Sequence, residues 1–201
     1  MLAALPAILD GAAMGYSGFE IETSPPIADA HLRSLYQCWR DLAQAADGLP
    51  QIQAFDPVHL PKVLQHIWIV EVDAATQRFR VRLAGENINA IYGRNIGGQY
   101  FRDVYDASDV DTIVMRYGRC LAQPAIFRAT GSVYAAAGRL TAGERLALPM
   151  QGRSGVTDTL LGATVYGGKI ERQVDVLVTG DAPEFFAVRA ANHKPPVIAG
   201  P

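Results

Sequence analysis

The sequence predicts an α+β domain: five strands, with short helices between the second and the third, and an amphipathic helix ahead of them. Three observations predict this. A long stripe at helical spacing precedes two alternating stretches joined by a short turn; a run of brief, glycine-punctuated helical turns follows; three further strand-like stretches separated by glycine-rich loops complete the core. The 201 residues suit about one domain on the usual scale of roughly 100–200 residues. Hydrophobic content of 49% with 19% charged residues and a mean hydropathy of +0.08 leaves enough apolar side chains to bury a core.

Residues 1–29 read as an N-terminal extension. They mix Gly, Ala, Pro and Ser, reach Ser24-Pro25-Pro26, and are expected to take no part in the core. The opening MLAALPAILDGAAMG has no Lys or Arg in front and is interrupted by Asp10, a poor secretory signal, so a cytoplasmic location is expected. No run approaches the roughly 18–20 apolar residues that cross a bilayer, and no membrane span is expected. Next, Leu32, Leu35, Tyr36, Trp39, Leu42, Ala43 and Ala46 recur at three- and four-residue intervals. That spacing predicts a helix over 30–47, started by Asp29 as N-cap and stopped by Gly48 and Pro50. A stripe holding Tyr36 and Trp39 must bury against the chain's own sheet or a second copy.

HIWIVEV at 66–72 alternates as a strand with both faces apolar, so it is to be covered on both sides. The turn at 73–76 leads into RFRVRLAG at 78–85, where Phe79, Val81 and Leu83 are expected inward and Arg78, Arg80 and Arg82 outward. Ile88, Ile91 and Tyr92 share a helical face that Gly93 ends. A longer helix capped by Asp106 or Ser108 carries Ile113, Val114, Tyr117, Cys120 and Leu121 as its buried stripe and stops before Pro124. Strands over 125–135, 143–150 and 158–166, joined by loops at 138–143 and 152–155, complete a domain over 30–168. Residues 169–201 read as a C-terminal extension with a Pro-rich end and material for one more strand or short helix.

Charge and motifs exclude several functions. Eighteen basic against twenty acidic residues give a net charge of −2, so no excess positive charge is available to neutralise phosphates, and nucleic acid is not an expected partner. Gly162 to Lys169 fails as a phosphate loop: with Gly162 and Gly167 as its glycines, the lysine belongs at 168, where glycine stands. Gly152-Arg153-Ser154-Gly155 lacks the spacing of a nucleophile elbow. Cys120 has no histidine in its own element, and His59 and His66 lack the i, i+4 spacing of a helical zinc pair. Asp103, Asp106, Asp109 and Asp111 lack the glycine and distal glutamate of a calcium loop. No catalytic residues, metal ligands or resident cofactor are expected, and the chain is read as not an enzyme.

The element order and the stretch RFRVRLAGENINAIYGRNIGGQYFRDVY resemble PAS sensory domains. Leu83-Ala84-Gly85, Tyr92-Gly93-Arg94 and Gly97-Gly98 follow the pattern of a bacterial PAS subgroup, as does HLRSLYQCWRDLAQAADGLP ahead of the fold. The resemblance covers about residues 30–168 and implies a PAS-like five-stranded antiparallel sheet with the short helices on one face, and signal transduction by sensing and protein contact. It implies a stand-alone regulatory module, a homodimer through Leu32, Leu35, Tyr36, Trp39 and Leu42, and unidentified signalling proteins as partners. Within that family, covalent flavin chemistry needs a cysteine that YGRNIGGQYF lacks, and oxygen-sensing haem needs a histidine that SDVDTIVMRYGRCLAQ lacks. The alternative the resemblance implies is a sensor with a small apolar ligand in a chamber. Its expected lining is Phe79, Val81, Leu83, Ile88, Ile91, Tyr92, Phe101, Met115, Phe127, Leu146 and Leu161, with Tyr117 and Tyr134 as hydrogen-bond donors.

Overall fold

The computed structural model describes residues 18–136, 139–166, 171–172 and 181–199. Its elements run β1 (Phe19–Ile21), α1 (Ala30–Ala46), β2 (Ile67–Val72), β3 (Phe79–Ala84), α2 (Glu86–Tyr92), α3 (Phe101–Val104), α4 (Ala107–Ala122), β4 (Ala125–Ala136), β5 (Arg139–Met150), β6 (Thr159–Tyr166), β7 (Glu171–Arg172) and β8 (Asp181–Ala190). Three single 3₁₀ turns lie between α1 and β2.

Every strand pairing is antiparallel, and the order across the sheet is β1-β8-β4-β5-β6-β2-β3, with β7 paired to β5 off this path. The sheet therefore has seven strands along its width, not the expected five. The five expected strands form its continuous part, and β8 then β1 add to the free edge of β4. Both added strands come from segments read as extensions. β8 contains Pro183 and presents phenylalanines to both faces, which obscures a period of two, and β1 is only three residues long. Phe19 and Ile27 are buried, so the segment ahead of α1 contributes to the core after all.

The sheet separates two cores. On its outer face α1 lays Leu32, Leu35, Trp39 and Ala43 against Ile67, Ile69, Leu146, Leu148 and Leu161. The Asp29 carboxylate caps α1 by accepting from the amides of His31 (2.7 Å) and Leu32 (3.2 Å), and Asp47, rather than Gly48, adopts the left-handed conformation at its end (φ 45°). The Trp39 indole N–H donates to the Pro149 carbonyl at 3.0 Å. Glu144 accepts from the Asp29 amide at 2.8 Å and pairs with Arg128 at 2.6 Å, and Arg128 also pairs with Glu184, which ties the start of α1 to β4, β5 and β8. Leu32, Leu35 and Trp39 are completely buried within this monomer. Leu32, Leu35 and Trp39, expected as dimer contacts, are thus spent on the chain's own sheet, with Tyr36 buried and Leu42 half-buried beside them.

On the inner face α2, α3 and α4 cover Trp68, Val70, Phe79, Val81, Phe127 and Leu160. The segment after β8 runs beneath this layer as a strap. His193 bonds Thr157 Oγ1 and the Ala122 carbonyl, Ile198 packs on the inner core, and the Ala199 amide donates to the Gln77 carbonyl at 2.7 Å. Among the described residues no helix is long and apolar enough to cross a membrane.

Candidate functional site

A register shift decides which side chains face the helices. Val70 pairs with Val81, but Ile69 pairs with Leu83, so Arg82 is an extra residue on β3. Such a bulge reverses the alternation of the side chains beyond it. Phe79 and Val81 stay inward, while Leu83 turns to the opposite face and is 45% exposed. The same logic of alternation places Leu146 and Leu161, two more of the expected lining residues, on the outer face beneath α1. Their neighbours Arg145, Ala147 and Leu160 belong to the inner one.

Between the inner face and the helices lies a narrow space of about 20 Å³, room for about one water. Its apolar wall includes Trp68, Val70, Val81, Ile88 and Ile96, and its polar groups are Tyr92, Tyr105, Tyr117, Arg145, Thr164 and Tyr166. Of the expected lining, Val81, Ile88, Tyr92 and Tyr117 are found there. Phe101 and Phe127 support Tyr117 edge-on at 6.0 and 5.8 Å, and Phe79 stacks on Phe101 at 5.2 Å. Ile91 is half-buried and outside the lining. Met115 lies on the solvent side of α4, 67% exposed. Tyr134 lies outside the residues whose side chains are described.

Sequence reasoning missed Trp68, Tyr105, Arg145, Thr164 and Tyr166 as parts of this space. Arg145 is the notable omission, since its side chain is buried in the middle of the sheet. The signal was present in RLALPM, where Leu146 and Leu148 share one phase and Arg145 the other. It needed the knowledge that α1 claims the leucine phase.

The polar groups form one network. Thr164 Oγ1 accepts from the Trp68 indole N–H at 3.0 Å and from Arg145 Nε at 3.3 Å. Tyr117 and Tyr166 line the same space as Arg145 and Thr164, close enough for the guanidinium charge to act on both hydroxyls. Trp68 and Tyr117 stack at 5.5 Å with their planes 16° apart, and Tyr92 meets Tyr105 edge-on at 6.2 Å. Burial pushes the Tyr117 and Tyr166 hydroxyls well above the ordinary phenol range, so both stay protonated at neutral pH. Burial opposes the charge on Arg145, the surrounding tyrosines favour it, and a guanidinium remains ionised in either case.

Two other groups are less suited to chemistry. Burial pushes the Cys120 thiol up to about 12, which removes the thiolate a nucleophile needs. His66 sits 5.5 Å from the His31 ring, near Gln65 and Asn87, with its pKa lowered by burial and by His31. Among the described residues no three His, Cys, Asp or Glu side chains converge as a metal site.

The sheet thus closes a small aromatic space beneath short helices and carries a separate helix on its other face. The family is shown directly: a PAS domain model matches residues 27–165, well over half of the sequence, and the chain belongs to the PAS domain family of signalling and sensory modules. No curated protein matches it.

Proposed function

We propose that this PAS module is a non-catalytic sensor that reads a small molecule in the chamber beneath α2, α3 and α4 and passes the change to a protein partner. The observation that carries this reading is Arg145, a buried cation that shares the chamber with four tyrosines and a threonine. Burying a charge and several hydroxyls in an apolar layer costs several kcal/mol relative to a well-packed apolar core, so a fold with no use for them gains by replacing them. A wall of aromatic and aliphatic groups with a few convergent polar ones is the composition of a small-molecule site. Tyr92 closes α2 and Tyr105 follows α3, so a ligand that displaces either ring moves a short helix.

The narrowness of the space favours a second reading, in which the chamber is a filled core and the module acts only through contacts, as a homodimer or with another signalling protein. Native mass spectrometry of freshly purified protein, with an absorbance spectrum of the same sample, separates the two. The sensor reading expects a fixed mass increment that is lost on mild unfolding. A chain of bare mass, or a bare dimer, whose spectrum and mass stay unchanged after exposure to cell extract supports the contact reading instead.

A further inference from the structure

We infer that His31 and His66 form a proton-operated link between α1 and α2, in which protonation of the pair drives the start of α2 outward and loosens the chamber at Tyr92. The link needs no bound molecule, so it is tested apart from the sensor reading above. His31 stands in the first turn of α1, and His66 ends the 3₁₀ turn Leu64–His66 that leads into β2. Their rings lie 5.5 Å apart, and His66 is only 8% exposed. Each nitrogen of the His66 ring faces an amide: Asn87 Nδ2 of α2 lies 3.4 Å from Nδ1, and Gln65 Nε2 lies 3.3 Å from Nε2. A neutral imidazole has one lone pair with which to accept a hydrogen bond, and a protonated one has none. The link assigns that lone pair to Nδ1, bonded by Asn87, and the proton of the neutral ring to Nε2. A second proton then breaks the bond to α2 and sets an N–H against the Asn87 amide.

Movement at Asn87 passes along α2 because the helix starts tight against the histidine turn. A Cβ at Gly85 would lie 2.5 Å from the Leu64 carbonyl oxygen and 2.6 Å from that of Gln65, and Gly85 supplies no side-chain cap to hold the first turn. Farther along the same short helix, Ile88 and Tyr92 line the chamber. The charged groups facing the pair are few. From α1 come His31, which opposes a positive charge on His66, and Asp29, which favours it; the Thr164 backbone of β6 also favours it. From α2 comes the neutral Asn87, with Glu86 exposed beside it. Asp29 Oδ1 lies 3.4 Å from His31 Nδ1 while capping α1, and Glu144 behind it is already paired with Arg128. Burial and His31 prevail, holding the His66 pKa below the ordinary histidine value, so the doubly charged pair forms on acidification. Positive charge is unfavourable at helix N-termini, and both α1 and α2 begin here.

Nitrogen-edited spectra of the side chains and backbone test the link across about pH 5–8, the range in which histidine titrates. They are recorded on the wild type, His31→Gln and His66→Gln, each checked for folding by near-ultraviolet circular dichroism. At neutral pH the wild type is expected to carry the His66 proton on Nε2. On acidification the Ile88 to Tyr92 amides should shift, and the Overhauser contacts between the Tyr92 and Tyr105 rings should be lost, both at the midpoint of the His66 imidazole itself. His31→Gln should raise that midpoint by roughly 0.5 to 2 on the pH scale, the effect of a like charge at this separation, and the α2 signals should follow it. Folded His66→Gln should leave α2 unchanged over the same range. A neutral-pH proton on Nδ1, α2 signals or Tyr92 contacts that do not follow the imidazole, or a midpoint unmoved in His31→Gln overturns the link. So does an α2 titration that survives in folded His66→Gln. If His66→Gln is unfolded, the midpoints of imidazole and α2 in the wild type and His31→Gln decide alone. None of these outcomes measures ligand binding, so each leaves the sensor reading to its own test.

Discussion

The two faces of one sheet are packed on opposite principles. The outer face meets α1 through leucine, isoleucine and tryptophan, and its polar contacts are those at the helix ends, the Trp39–Pro149 bond and the Arg128–Glu144 pair. The inner face carries a tyrosine-lined space with a buried arginine at the centre of the sheet. Strand alternation makes the contrast possible: along β5, Arg145 and Ala147 serve one layer and Leu146 and Leu148 the other. The difference teaches that one strand can serve a helix-packed layer on one side and a tyrosine-lined space on the other.

The largest break in this comparison is on the outer face. Trp39→Ala removes a completely buried ring and its bond to Pro149, and should destabilise the fold by about 3–5 kcal/mol in chemical denaturation. Gly162→Ala addresses the inner face. A Cβ at Gly162 would lie 2.2 Å from the Trp68 ring, so the indole must shift away from Thr164. Overpacking of this kind costs about 1–3 kcal/mol, and the tryptophan fluorescence spectrum should change with it.

A smaller effect is expected at His66. Its folded pKa lies below the ordinary value, so the unfolded chain binds more protons at mildly acidic pH, and stability is fully present at neutral pH and falls as pH drops through about 6.5. Comparing the wild type with His66→Gln across that range by thermal melting should show a flatter dependence in the variant; parallel curves would remove His66 from the account. Smallest of all, Met115→Ala and Leu83→Ala should each change stability by less than about 0.5 kcal/mol, since both side chains face solvent.

Leu83 also marks how far the sequence can be read. The helix over 30–47, the hairpin, the short helices and three of the later strands were visible in periodicity, because each element buries one face and repeats at its own period. A bulge is not visible in that way: the alternation Phe79, Val81, Leu83 is unbroken in the sequence and is reversed only by the extra Arg82 against β2. The assignment of Leu146 and Leu161 to the chamber failed for a related reason. An apolar side chain at the right phase fits either face of a sheet covered on both sides, and only the placement of α1 decides between them. Among the polar groups Tyr92 and Tyr117 were legible from helix stripes, whereas the face on which Arg145 lies follows only from the placement of α1. β1 and β8 were hidden by length and by Pro183, as edge strands often are.

The chain's two tryptophans report on the two faces separately. Trp39 donates its indole N–H to Pro149 on the outer side, and Trp68 donates its own to Thr164 in the chamber network. The most direct test of the division between faces is therefore the pair of indole N–H resonances in a nitrogen-edited spectrum of Gly162→Ala compared with the wild type. A shift of the Trp68 resonance with Trp39 unmoved is the predicted result. Movement of Trp39 alone, equal movement of both, or no movement of either would contradict it.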